Sequence, residues 1–222
     1  MKTETLNFDT AGGPSTAYVA MPDSGPGHKA VILIQEWWGL NDHIKDIAGR
    51  YAGEGFTCIA PDLYRGTIAK DADEAGKLMH ALAAQDGLDT IKNAMAKARE
   101  TYGFKKFCIT GYCMGGTFAL RAACELDGLV AAAPFYGDIP SDDVLENLKV
   151  PTIFISGKKD AWINPEKVSA LEKAASEFGL PVESVAYDAD HAFFNNTRPE
   201  VYDAEAAADA WKKVLHFFNL NF

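Results

Sequence analysis

At 222 residues the chain is sized for a single domain over 1–222, and its 48% apolar content fills a core without disulfides or metal. With 21 basic against 31 acidic residues, the net charge of −10 excludes nucleic acid and anionic membrane surfaces as partners, because both are held by cationic side chains. A small anionic substrate stays open, since fields are screened over about 8 Å at physiological salt and one local cation can dominate.

The segment Met1-Lys2-Thr3-Glu4-Thr5-Leu6 has no apolar stretch of the signal-peptide kind, and no run of about eighteen apolar residues occurs. Cys58, Cys108, Cys113 and Cys124 fall mostly inside expected strands and helices, away from the loop spacings of a disulfide framework. Reduced thiols in a cytoplasmic protein are the expectation. No C-x-x-C or H-x-x-x-H pair is present, so neither a metal nor another cofactor is expected.

Residues 3–8 and 16–21 read as two strands around Gly12-Gly13-Pro14, an antiparallel hairpin. Val31-Ile32-Leu33-Ile34 is a continuous apolar run, the pattern of a strand covered on both faces. Asn41 or Asp42 caps a helix with Ile44, Ile47, Ala48 and Tyr51 on its apolar side, closed by Gly55. Phe56–Ala60 is the next strand, stopped by Pro61. Helical stretches follow at about 71–84 and 86–102, the second with Leu88, Ile91, Met95, Ala98 and Tyr102 on one face. Strands are expected at 106–110, 129–133, 152–156 and 182–187. A helix follows the strand at 106–110, a second starts at Asn164-Pro165 and ends at Gly179, and a third spans about 203–218. This alternation predicts an α/β fold, with a mostly parallel central sheet, helices on both faces and an N-terminal hairpin.

Gly111-Tyr112-Cys113-Met114-Gly115 interrupts the transition from strand to helix with the spacing of a nucleophile elbow, cysteine standing where serine is usual. A sharp turn there lifts the central side chain clear of the backbone, and flanking glycines remove Cβ atoms that would clash. The following helix N-terminus favours a thiolate.

In an open α/β sheet, chemistry gathers at the C-terminal ends of strands. Those ends carry Gln35-Glu36-Trp37-Trp38-Gly39, then Cys113, then Gly157-Lys158-Lys159-Asp160, then Asp188-Ala189-Asp190-His191. Nucleophile, acid, histidine is the chain order of α/β-hydrolases. His191 is the expected base for the Cys113 thiol, and Asp160 the residue that holds the imidazole in one tautomer. Asp138, Asp188 and Asp190 compete for the acid role, and position after the penultimate strand favours Asp160. The Met114 backbone N–H and one from Trp37 are the expected oxyanion donors. Cys58, Cys108 and Cys124 read as core packing. Trp37, Trp38, Tyr64, Phe135, Tyr136 and Trp162 stand near strand ends, as core or as the lining of an aromatic pocket.

Taken together, Gln35-Glu36-Trp37-Trp38-Gly39, Ala60-Pro61-Asp62-Leu63-Tyr64, Gly111-Tyr112-Cys113-Met114-Gly115-Gly116, Gly157-Lys158-Lys159-Asp160 and His191-Ala192-Phe193 resemble the dienelactone hydrolase family of the α/β-hydrolase superfamily. The resemblance covers essentially the whole chain. It implies a Cys-His-Asp triad of Cys113, His191 and Asp160, and a role for Glu36, which in the family meets the resting thiol and takes its proton when substrate arrives. Holding the sulfur protonated until then avoids oxidation and like-charge repulsion. The family's substrate arginine four residues after the histidine is Asn195 here, and Lys70–Ala75 has no arginine where the family has its second. Arg65 and Arg198 are the available substitutes, with Trp38, Tyr64, Tyr136 and Asn195 as further candidates for substrate contact.

The resulting expectation is a cofactor-free cysteine hydrolase of small esters or lactones (carboxymethylenebutenolidase-like), working through a thioester, as a monomer or small homo-oligomer. The alternatives are a non-catalytic ligand-binding or regulatory protein on the same scaffold, and a thiol redox sensor at Cys113.

Overall fold

Strands β1 (Lys2–Thr10) and β2 (Gly13–Met21) pair antiparallel with Thr10 opposite Gly13, whose φ of +112° suits a residue without a side chain. The computed structural model describes every residue of the chain, Met1–Phe222. After the hairpin come β3 (Ala30–Ile34), α1 (Asp42–Gly53), β4 (Thr57–Pro61), α2 (Ala72–Ala81), α3 (Ala84–Tyr102) and β5 (Phe107–Tyr112). Then follow α4 (Met114–Glu125), β6 (Leu129–Phe135), α5 (Asp142–Leu145), β7 (Thr152–Gly157), α6 (Pro165–Phe178), β8 (Val182–Tyr187) and α7 (Ala204–Asn221). The eight strands form one sheet in the order β1-β2-β4-β3-β5-β6-β7-β8. β2 meets β4 antiparallel, whereas β3 with β4, β6 with β7 and β7 with β8 are parallel. Every residue of β3, β4, β5 and β7 is buried, the signature of strands covered on both faces, while the edge strands β1 and β8 are partly exposed.

The chain divides into two compact units, Met1–Ile109 and Thr110–Phe222. In the first, α1 packs against β2 and β4, and α3 against β1. Ile44, Ile47, Ala48 and Tyr51 are the buried face of α1, as the periodicity predicts. Asn41 rather than Asp42 is its cap, with Oδ1 accepting from the Ile44 N–H at 3.2 Å. In the second unit α4 packs on β6, α6 on β8, and α7 on β6 and β7. Asn164 caps α6 through the Lys167 N–H at 3.0 Å, and Gly179 closes it in the left-handed conformation.

Several boundaries differ from the sequence expectation by a few residues, and one short element is new. β4 includes Pro61, which sits at the last position of the strand opposite Ala17, and the next N–H, of Asp62, donates to Thr16. α4 begins at Met114, directly after Cys113, because the elbow is itself the connection. The four-residue α5 was not anticipated, since one turn is too short to show a periodic apolar face.

Candidate active site

Cys113 stands between the last residue of β5 and the first of α4, with φ 55° and ψ −119°. A non-glycine residue at positive φ carries strain of about 1–3 kcal/mol, and such strain persists only where surrounding structure holds it. Here the Cys113 N–H donates to the Phe135 carbonyl at 3.1 Å, and its own carbonyl accepts from Thr117 N–H at 3.1 Å as the first turn of α4. Backbone contact behind the elbow is close. A Cβ at Gly116 would overlap the Phe135 oxygen and stand 2.9 Å from the Gly137 nitrogen. A Cβ at Gly137 would in turn run into the Gly116–Thr117 peptide. The elbow is thus pressed onto the end of β6 with no side chain between.

The other strand ends bring an acid to a histidine. Asp160 is buried, and its Oδ2 accepts from His191 Nδ1 at 2.6 Å. Its Oδ1 accepts from the backbone N–H groups of Trp162 at 2.7 Å and Ile163 at 2.9 Å. Burial would raise this carboxyl's pKa, but the hydrogen bond and charge of His191, with the Ile163 and Trp162 donors, outweigh it and hold Asp160 below its ordinary value. An ionised carboxylate only accepts, so the shared proton sits on Nδ1, and whenever the ring is neutral its lone pair is on Nε2. Nε2 is enclosed and has no hydrogen-bond partner. Two further bonds tie the acid loop to the histidine loop, Lys158 N–H to Tyr187 O at 2.7 Å and Lys159 N–H to Ala189 O at 3.1 Å. Gly157 permits this approach, since a Cβ there would overlap the Ala189 carbonyl. Two of the other candidate carboxylates are engaged elsewhere, Asp138 with Lys167 at 2.6 Å and Asp188 with Lys159 at 3.2 Å.

The elbow and the imidazole share an anchor. Phe135 receives the Cys113 N–H, and the next residue, Tyr136, places its ring 5.0 Å from the His191 ring and 6.2 Å from that of Tyr112. Tyr136 is buried and, like Cys113, has positive φ, at 37°. Trp162 also meets the imidazole, at 4.9 Å between ring centroids.

Residues 15–222 match the dienelactone hydrolase family. The chain belongs to that family. A relative from Aquifex aeolicus (strain VF5) that carries the provisional name carboxymethylenebutenolidase is 37% identical over 229 residues, covering 97% of both chains. Protein usf of Aquifex pyrophilus is 38% identical over the same length and the same shares. A Klebsiella pneumoniae structure, provisionally titled a dienelactone hydrolase, superposes with a TM-score of 0.88 at 28% identity, covering 99% of each chain.

Within this family frame, the remaining candidates from the sequence fall in different places. Glu36 is buried, at the end of β3, where its carbonyl accepts from the Gly39 N–H at 3.2 Å in a tight turn. Trp37 and Trp38 are half-buried and meet edge to face at 5.1 Å. Tyr64 is buried in a loop organised by Asp62, whose two oxygens accept from the N–H groups of Tyr64 at 3.0 Å and Gly66 at 2.6 Å. Arg65 directs its guanidinium to Thr10 Oγ1 at 3.1 Å, beside a groove of about 440 Å³ along the hairpin. Asn195 is buried and accepts from Thr197 through both its N–H at 3.0 Å and its hydroxyl at 2.6 Å, so it holds a turn. Arg198 pairs with Glu200 at 2.8 Å.

Cys58 and Cys108 are buried, and burial also acts on the half-buried Cys124. It raises the pKa of Cys58 and Cys108 well above the ordinary range, and pushes Cys124 up to about 12. No group of three or more His, Cys, Asp or Glu side chains is arranged to hold a metal ion. No helix is long and apolar enough to cross a membrane. The close-approach role of Gly137 and Gly157 was not singled out from the sequence. Their signal was present, as each stands at the end of an apolar run, in Phe135-Tyr136-Gly137 and Ile155-Ser156-Gly157.

Proposed function

We propose that the protein hydrolyses small esters or lactones by covalent catalysis at Cys113. The observation that carries this reading is a strained cysteine at a strand-to-helix elbow, anchored to the same Phe135–Tyr136 segment against which an Asp160-oriented imidazole packs. In the reaction, the Cys113 sulfur bonds to the substrate carbonyl carbon as its proton passes to Glu36 and from there to His191 Nε2. The carbonyl oxygen takes up negative charge opposite the N–H groups of Met114 and Trp37. One such donor contributes about 3–4 kcal/mol to the transition state. The tetrahedral intermediate expels the alcohol or enol oxygen, which takes a proton from His191 Nε2, leaving a thioester on Cys113. His191 then removes a proton from water, the water oxygen bonds to the acyl carbon, and the carbon–sulfur bond breaks to give a carboxylic acid and the thiol. Asp160 stabilises the imidazolium each time it forms. Glu36 is the proposed base for the resting thiol, so that the thiolate exists only with substrate present.

Neither family arginine is at its usual position, and Arg65 and Arg198 are engaged with Thr10 and Glu200. Neutral esters and lactones therefore fit the proposal as well as dienelactone itself. Steady-state hydrolysis of dienelactone and of a short aryl ester should fall at least about 10³-fold in Cys113→Ala and in His191→Ala. Mass spectrometry of the wild type should trap the acyl group on Cys113, and iodoacetamide should label that thiol ahead of Cys58, Cys108 and Cys124. Equal turnover in all three proteins would end the proposal.

A further inference from the structure

Trp162 is the one large aromatic beside the candidate site that the fold leaves open to solvent, at 60% exposure, while Tyr136, Phe193 and Phe194 are buried. Single exposed apolar side chains are ordinary. This one is unusual in being fixed. Its backbone N–H is bonded to the Asp160 carboxylate at 2.7 Å, and its ring meets the His191 ring at 4.9 Å with 70° between planes. The imidazole is therefore in contact with a buried ring, Tyr136, and an exposed one, Trp162.

We infer that Trp162 selects the leaving group, favouring esters and enol lactones whose departing oxygen carries a flat, apolar substituent. The inference rests on the role proposed above for His191. An oxygen that takes its proton from Nε2 must lie about 2.6–3.2 Å from that atom. Of the two rings that meet the imidazole, Tyr136 is buried and only the exposed indole of Trp162 is open to whatever that oxygen carries. A planar apolar substituent gains buried area and ring contact there, whereas a short alkyl group gains little. The acyl part stays on the sulfur, so the preference concerns the departing group and not the acid.

The test is kcat/KM for the phenyl and ethyl esters of one acid, measured on wild type, Trp162→Ala and Trp162→Phe. The phenyl-over-ethyl ratio should drop about tenfold in Trp162→Ala, the size of one aromatic contact with its buried area, and be largely kept in Trp162→Phe. A ratio unchanged in Trp162→Ala overturns the assignment. An equal fall for both esters overturns it too, because the ring would then only be positioning His191. Cys113→Ala, assayed alongside, separates the two levels of the argument. If it turns over like wild type, the covalent mechanism fails. If turnover depends on Cys113 while the ratio stays put, only the role of Trp162 fails.

Discussion

At the end of β5, the placement of Cys113 is a matter of neighbours in sequence: strand, elbow and helix are continuous, and the positive φ belongs to Cys113 itself. At the ends of β7 and β8, Asp160 and His191 are separated by 31 residues and meet only because two parallel strands stand side by side. Backbone bonds from Lys158 and Lys159 to Tyr187 and Ala189 then fix the two loops against each other. One end is set by local conformation and the other by tertiary contact. The first should tolerate little change in its own few residues, and the second should fail at any point along the path that joins its loops.

The largest effect expected from that contrast is at Asp160. In Asp160→Asn the amide oxygen can still accept from Trp162 and Ile163, so the loop keeps its shape. Its amide N–H₂ would then face Nδ1, which must surrender its proton to accept, and the proton moves to Nε2 where the lone pair is needed. Hydrolysis should fall about 10²–10⁴-fold in kcat, with iodoacetamide labelling of Cys113 still specific. Wild-type turnover in this variant would show that the pairing orients nothing. The same variant reads out stability against pH. The folded protein holds the Asp160 carboxyl below its ordinary pKa, so just below about pH 4 the unfolded chain binds more protons. That stabilisation is complete above about pH 4 and is lost as the pH falls through the folded-state pKa. Urea midpoints of wild type and Asp160→Asn should therefore converge on going from neutral to acid pH. A gap that widened instead would contradict the direction of the shift.

The two ends can next be broken one at a time through their glycines. Gly116→Ala puts a methyl group into the Phe135 carbonyl, and Gly157→Ala puts one into the Ala189 carbonyl. Backbone is the obstacle in both cases, so each should cost about 3 kcal/mol in chemical denaturation. They should differ in what remains. Gly157→Ala separates the acid loop from the histidine loop and leaves the elbow, hence a Cys113 that is still alkylated selectively but turns over poorly. Gly116→Ala moves the elbow off β6 and removes that selectivity. A change of under about 0.5 kcal/mol in either variant would mean that the close approach is dispensable there.

The same contrast explains what the sequence did and did not disclose. The elbow is a short-range pattern, glycine at fixed offsets around Cys113 between an apolar run and a helix, so its geometry was legible directly. The architecture was legible for a similar reason: strands covered on both faces read as apolar runs, and Asn164-Pro165 and Gly179 mark the ends of α6. The pairing of Asp160 with His191 is not a local pattern. Strand order narrowed the acid to a preference over Asp138, Asp188 and Asp190, whose lysine partners, for the first two, are visible only in three dimensions. Asn195 and Arg198 looked free for substrate because side-chain direction is not encoded in position along the chain. Trp162 looked like any aromatic at a strand end, and its exposure, with its N–H bonded to Asp160, is visible only in three dimensions.

The smallest predicted effect sharpens the account of the acid loop. Asn164 caps α6 immediately after that loop, through the Lys167 N–H. Asn164→Ala should lower stability by about 1 kcal/mol, the ordinary cost of losing a side-chain cap. Its effect on turnover should stay below about twofold, because the carboxylate of Asp160 already holds the two intervening N–H groups, of Trp162 and Ile163, at 2.7 and 2.9 Å. Those bonds insulate the acid from fraying at the helix start. If turnover instead fell in step with stability, the direction of control would be reversed. The helix would then be holding the loop, and the loop the carboxylate, so α6 would join β7 and β8 among the elements that set the position of His191.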